Sequence, residues 1–269
     1  MNYIQLSIEA RESSQEMLIG QLSALQASGF EQTETHLLAY FNEEAFPSYD
    51  VHEVLKNVVY QIQTIKEQNW NAVWEESFQP VIVDRFCAVQ AHFHQPIMGI
   101  QHQIIITPKM SFGTGHHATT YLMLQGMQHL DFTGKQVLDF GTGTGILAIL
   151  AEMLDAAQVI AIDNDVWSFE NVQENIQLNH CSRITPLLSD KIPEASTFDI
   201  ILANITKNVL LSYMGILKSC IKDGGILLLS GILPDDKDDM VASAHNRGMK
   251  LARESIRENW LSLQFVNQA

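Results

Sequence analysis

Apolar positions change their period along this 269-residue chain, and the change falls near residue 66. Residues 3–8 alternate apolar and polar with period two, as a strand with one face in a core does. Ser13 and Ser14, with Glu16 close behind, open a helix carrying Met17, Leu18, Leu22 and Leu25 at helical spacing, and Ser28-Gly29 ends it. Two short strands are predicted over 30–34 and 36–41. Asp50 then caps a second helix whose apolar face holds Val54, Leu55, Val58, Val59, Ile62 and Ile65. The order strand, helix, strand, strand, helix predicts a small ferredoxin-like α+β domain over residues 1–66.

Trp70, Trp74 and Phe78 follow at four-residue spacing before Pro80. They predict one turn of helix with its rings on a domain face. Residues 67–77 are assigned to an interdomain linker that can act as a hinge, and 78–269 to a second domain. There the pattern is different. Apolar, β-rich runs at 137–140, 159–162, 198–202 and 226–229 alternate with helical stretches, which predicts βαβ units and a doubly wound α/β sheet covered on both faces. Ligands of such sheets bind at the carboxyl ends of the strands, where strand order reverses. Leu122, Met123 and Met127 form a helical stripe that reads as core.

Composition narrows the function. Hydrophobic residues make up 46% of the chain and charged residues 17%, enough apolar material for a sizeable core. The formal net charge of -15 comes with no run of Lys and Arg, which argues against direct nucleic-acid binding and favours a cationic partner. Cys87, Cys181 and Cys220 are widely spaced in apolar contexts and read as small hydrophobes. Met1-Asn2-Tyr3-Ile4 is not the start of a signal peptide, and no stretch of about 18 apolar residues spans a membrane. A cytoplasmic monomer is expected. His92 and His94 share a face if they lie on a strand with Cys87, but no four-ligand set completes a zinc site, so no metal is assigned. Ser230-Gly231 lacks the G-x-S-x-G elbow of hydrolases.

The chemistry gathers around Val137-Leu138-Asp139-Phe140-Gly141-Thr142-Gly143-Thr144-Gly145-Ile146, a strand, a glycine turn and a helix start. Glycines let a backbone approach a ligand closely. A dinucleotide site asks for G-x-G-x-x-G, whereas this loop reads G-x-G-x-G with Ile146 at the place of the third glycine. Asp139 stands two residues before the first glycine, poorly placed for a pyrophosphate and well placed for a cation. S-adenosylmethionine has no phosphate and carries a sulfonium and an ammonium. Asp163, at the end of the next strand, suits both ribose hydroxyls, while Asp165 reads as a helix cap. Asp190 is in position to meet the adenine amino group. Asn204, at the tip of the fourth strand, can orient an incoming amine.

Pro108-Lys109-Met110-Ser111-Phe112-Gly113-Thr114-Gly115-His116-His117-Ala118-Thr119-Thr120 lies upstream. Together with the glycine loop, Ala203-Asn204-Ile205, Ser230-Gly231-Ile232-Leu233 and the Trp70–Phe78 element, it closely resembles the PrmA-type methyltransferases that modify large-subunit ribosomal protein L-eleven. The resemblance implies a class I, Rossmann-like S-adenosylmethionine-dependent methyltransferase acting on lysine ε-amines and an N-terminal α-amine. Its N-terminal domain would recognise the substrate. The implied donor contacts fall on Thr120, Gly141, Asp163 and Asn204, with Gly143 in the same loop, and Phe112 and His117 flank the methionine part. His116 replaces the family's usual threonine, which leaves His117 as the equivalent histidine. Ile205 follows the asparagine where methyltransferases of glutamine or nucleobase amines usually have Pro-Pro-aromatic. The expected mechanism is positioning and desolvation without a strong base, with Asn204 orienting the amine and His117 steadying the donor or relaying a proton. The alternatives are a methyltransferase of another protein or of a small-molecule amine, and a nicotinamide oxidoreductase or nucleotide-binding regulator. Ile146 and Asp139 weigh against the last.

Overall fold

A computed structural model describes residues 2–65, 80–107 and 118–268. The chain forms two compact units, Met1–Ser77 and Phe78–Ala269. Among the described residues no helix is long and apolar enough to cross a membrane.

In the first unit, β1 (Tyr3–Glu9), α1 (Glu12–Ala24), β2 (Gly29–Gln32), β3 (His36–Asn42), α2 (Ser48–Val54) and β4 (Tyr60–Ile65) follow in order. The sheet runs β2-β3-β1-β4, with every pair antiparallel. The period-two pattern of β1 drives Ile4, Leu6 and Ile8 into a core with Leu18, Leu22, Leu37, Phe41 and Leu55. Three expectations are corrected here. Met17 lies off the buried stripe and is 63% exposed. Helix α1 ends before Leu25, and the residue that turns left-handed after it is Gln26 (φ 64), not a glycine. The second helix stops at Val54, with Pro47 rather than Asp50 at its N-cap, and Tyr60–Ile65 is a strand. Tyr-Gln-Ile-Gln-Thr-Ile satisfies a two-residue period as well as a helical one. The free edge of β1 decides between them, because six consecutive residues of β4 pair with it, from Ile8↔Tyr60 to Tyr3↔Ile65.

In the second unit a small sheet of β5 (Val81–Val83), β6 (Cys87–Ala91) and β7 (His102–Ile106) precedes α3 (Ala118–Met127). Strand β6 ends at Ala91, so His92 and His94 lie in the following turn rather than on one strand face. Then come β8 (Gln136–Phe140), α4 (Ile146–Met153), β9 (Gln158–Asp163), α5 (Val166–Leu178), β10 (Ile184–Leu188), β11 (Phe198–Asn204), α6 (Lys207–Cys220), β12 (Ile221–Ile232), α7 (Lys237–His245), β13 (Met249–Arg257) and β14 (Trp260–Asn267). The seven strands lie in the order β10-β9-β8-β11-β12-β14-β13. The first five are parallel, and β14 is antiparallel to both its neighbours.

Continuous apolar runs make sense in such a sheet because both faces are buried. Alternate residues of each strand serve different cores. Val137, Ile200, Leu202 and Leu228 face α3, α4 and the small sheet, while Leu138, Ile201, Ala203, Leu227 and Leu229 face α6 and α7. Leu122, Met123 and Met127 are core, as is Cys87, whose thiol burial pushes up to about 12. Strand order reverses between β8 and β11, so the ends of these two strands open a crevice.

Helix α5 also acts as a partner for strand β7. Asn179 accepts from the amide of Ile105 (2.8 Å) and donates to its carbonyl (2.6 Å). Asn175 accepts from the Thr107 amide (2.9 Å), and Asn171 donates to the Thr107 carbonyl (3.2 Å). Asn175 also donates to the carbonyl of Thr144 in the glycine loop (2.8 Å). Replacing Asn175 with Leu strands the Thr107 amide and the Thr144 carbonyl. At about 1–3 kcal/mol for each group left without a partner, denaturant unfolding should show a loss of roughly 2–6 kcal/mol.

Candidate active site

Phe140 ends β8 below the crevice, and the chain turns through Gly141, Gly143 and Gly145 with φ of +76°, +56° and +83°. The turn is fastened to the next strand. The amides of Gly141 and Thr142 both donate to the Ile162 carbonyl at 2.9 Å, and the Gly143 amide donates to Asp163 Oδ2, also at 2.9 Å. No side chain fits at two of these positions. A Cβ on Gly141 would stand 2.3 Å from Cγ2 of Ile205, and one on Gly145 would stand 2.5 Å from Cγ2 of Val172. Gly145 then caps α4.

A cavity of about 520 Å³ lies over this turn, within the range of small-molecule sites. Thr120, Gly141, Gly143, Asp163, Asp190 and Asn204 all line it, brought together from α3 and the ends of β8, β9, β10 and β11. Phe112 and His117, with the rest of 108–117, and Trp70, Trp74 and Phe78 lie outside the described residues. Asp163 accepts from Gly143 through Oδ2 and from the Asp165 amide through Oδ1 (3.0 Å). A carboxylate has about four lone-pair sites, so two backbone donors orient it and leave acceptor capacity on both oxygens. Asp165 caps α5 by accepting from the Ser168 amide at 2.8 Å. Asp190 is held by its backbone carbonyl, which accepts from the Tyr213 hydroxyl (2.9 Å). Asn204 donates from Nδ2 to the Thr120 hydroxyl at 3.3 Å, which leaves its carbonyl oxygen as an acceptor.

Several wall residues escaped the sequence reading. Trp260, at the start of β14, and Tyr213, on α6, both line the cavity. Tyr213 also packs its ring 4.9 Å from that of Phe140. Trp260 reaches the site only because β14 inserts beside β12, a sheet order that no local pattern encodes.

The cavity is matched to a cation. Among the described residues lining it, the charged side chains are Asp163 and Asp190, with no Lys or Arg. A pyrophosphate would meet carboxylates and no compensating cation, whereas a sulfonium with a sugar and an amino group meets acceptors and a glycine floor. These residues therefore fit S-adenosylmethionine. Asp139 does not take the role expected of it. It is fully buried, accepts from the Thr142 hydroxyl (2.6 Å) and the Ala148 amide (3.2 Å) through Oδ2, and does not line the cavity. Its task is to tie the glycine turn to the start of α4.

Burial pushes the Asp139 carboxyl up to about 7, against the lowering effect of the Thr142 and Ala148 hydrogen bonds, and the neighbouring Asp163 charge raises it further. Between pH 4 and 7 the folded protein thus holds a proton that the unfolded chain has released, so this group's contribution to stability falls as pH rises through that window. Asp139→Asn removes the titration while keeping an acceptor for Thr142 and Ala148. Urea unfolding at pH 4.5, 6 and 8 should show the variant gaining on the wild type as pH rises. A gap independent of pH would contradict the raised value.

Comparison with known proteins agrees with this geometry. The family described as "Ribosomal protein L11 methyltransferase (PrmA)" matches residues 6–268. A ribosomal protein L11 methyltransferase of Porphyromonas gingivalis is 37% identical over 265 residues, covering 95% of this chain and 91% of that protein. One from Chlorobaculum tepidum is 38% identical over 251 residues, covering 88% and 86%. The crystal structure of a ribosomal protein L11 methylase from Lactobacillus delbrueckii subsp. bulgaricus superposes with a TM-score of 0.65 at 26% identity, over 71% of this chain and 99% of that one. A match this long, carried by close relatives and by a solved fold, places the chain in the PrmA family of ribosomal protein L11 methyltransferases.

Proposed function

We propose that the protein transfers methyl groups from S-adenosylmethionine to lysine ε-amines and the N-terminal α-amine of ribosomal protein L11, as a monomer in the cytoplasm. The observation that carries the reading is a cavity with acidic and neutral walls over a glycine turn, in a chain whose relatives are named ribosomal protein L11 methyltransferases. When bound, the donor supplies an electrophilic methyl group on a sulfonium.

The residues of this chain do the rest by holding and excluding. Asp163 is the acceptor for the sugar hydroxyls, Asp190 for the adenine amine, and Gly141 and Gly143 allow close approach of the donor. Thr120 holds the amide of Asn204, which turns the asparagine carbonyl towards the incoming amine. Phe112 and His117 take their places beside the methionine part, as the resemblance implies. A lysine amine with a pKa of about 10.4 must give up a proton, at roughly 4.6 kcal/mol at pH 7, and an α-amine with a pKa of about 7.8 at only around 1 kcal/mol. Withdrawal from water lowers an amine's pKa and offsets much of the larger figure, so no strong base is required. Residues 1–66 serve as the substrate-recognition domain. With 31 acidic against 16 basic residues, the chain suits a basic protein, because opposite fields speed encounter.

The direct test incubates the protein with labelled donor and recombinant L11 and locates methyl groups by mass spectrometry. Donor binding without any modification of L11 would refute the substrate. Asp163→Ala should weaken calorimetric donor affinity by about 10- to 100-fold, the range for a charge-assisted hydrogen bond. Asn204→Ala should lower kcat by about a hundredfold, in line with a lost orienting contact, with a much smaller change in donor affinity. A variant at Asn204 that turns over at the wild-type rate would remove it from the mechanism.

A further inference from the structure

Trp260, at the tip of a hairpin, forms part of the cavity wall, and the same tip contacts the helix that carries Thr120. Strands β13 and β14 join through Glu258 and Asn259, with Arg257 and Trp260 as register partners. Glu258 takes a left-handed φ of 51°, so the turn is tight and the placement of Arg257 constrains that of Trp260. Trp260 lines the cavity together with Thr119, Thr120, Asn204 and Gly231. Strand order puts Asn204, Gly231 and Trp260 on the side of β8 away from Asp163 and Asp190, which are held by β9 and the loop after β10, while Thr119 and Thr120 come from α3.

Two different fastenings hold the hairpin. Below the tip, Ser230 donates to the Leu261 carbonyl (2.9 Å) and Ser262 to the Leu229 carbonyl (3.0 Å), both buried, within the register irregularity between Leu229 and Ile232. At the tip, the Arg257 guanidinium carbon sits 3.7 Å from the centroid of the Tyr121 ring. Tyr121 packs against the core and directly follows Thr120, whose hydroxyl receives the Asn204 amide. Arg257 is 45% exposed and also pairs loosely with its neighbour Glu258 (3.8 Å), an exposed ion pair within the turn, so the Tyr121 ring is the contact that ties it to another element.

We infer that Arg257 and Tyr121 form a clamp that seats the Trp260 wall against the first turn of α3, and that this clamp positions the acceptor amine before Asn204. Arg257 is thus a positioning residue for the acceptor half-site, on the side of the cavity away from Asp163 and Asp190. The inference rests on the amine methyltransfer proposed above for its kinetic consequence, and on geometry alone for its structural one.

The test uses the full chain. Arg257→Ala removes an exposed side chain and leaves the core filled, so folding is retained. Hydrogen–deuterium exchange should quicken in the peptide spanning residues 256–262, kcat for L11 should fall roughly five- to tenfold, and calorimetric donor affinity should stay within about twofold of wild type. Arg257→Lys and Tyr121→Phe keep the cation and the ring, and should recover most of the rate. Tyr121→Leu should behave like Arg257→Ala, and the double variant R257A/Y121L should be no slower than either single one. Unchanged exchange at the hairpin tip in R257A overturns the clamp, as does a loss of donor affinity that matches the loss in kcat. Were the wild type to leave L11 unmodified, the substrate assignment would fall while the exchange measurement still decided the clamp.

Discussion

The site depends on the grip of one strand end on its neighbour's glycine turn. Ile162 offers its carbonyl to two successive amides of the turn, and Asp163 takes the third donor with its side chain. A loop of glycines has many conformations open to it, and freezing them has an entropic cost that three hydrogen bonds help to offset. The same carboxylate that fixes the turn lines the cavity and is the one proposed to accept from the donor's sugar, so in that proposal position and function are not separable at Asp163.

Around that grip the strand ends are packed to the limit of backbone contact. Ile205, one residue past Asn204, presses its branched side chain against Gly141 and its main chain against Gly231, where a Cβ would lie 2.3 Å from the Ile205 carbonyl oxygen. Three parallel strands converge on one isoleucine. The convergence holds Asn204 at a fixed height over the cavity, with Thr120 bracing its amide from α3. Buried Asp139 completes the frame from beneath, by bridging the turn to the helix that follows it.

Much of this was legible in the chain. The β-rich runs gave the strands of the large sheet because a doubly covered sheet demands uninterrupted apolar residues. The glycine spacing with Asp163 downstream located the cavity, since strand ends and tight turns are local features. What stayed hidden depends on contacts between distant segments. The span 60–65 fits either period, and only the unpaired edge of β1 selects strand. Asp139 reads as a ligand group from its spacing, but its direction is set by Thr142 and Ala148, which turn it inward. Trp260 and Arg257 have no local signature at all. Their place follows from the insertion of β14 between β12 and β13.

The asparagines of α5 carry a consequence of their own. Four residues of helix rise about 6.0 Å, while two residues of strand advance about 6.6 Å. A helix bearing an amide every fourth residue can imitate the rim of a neighbouring strand, but it falls out of step by about half an ångström per rung. The mismatch is visible in the pairing: Asn179 serves both groups of Ile105 alone, whereas Thr107 needs Asn175 for one and Asn171 for the other. Such a mimic cannot extend itself as a true strand would. It therefore seals the outer border of the small sheet with a surface on which a foreign polypeptide finds no continuing template, and so guards that border against self-association.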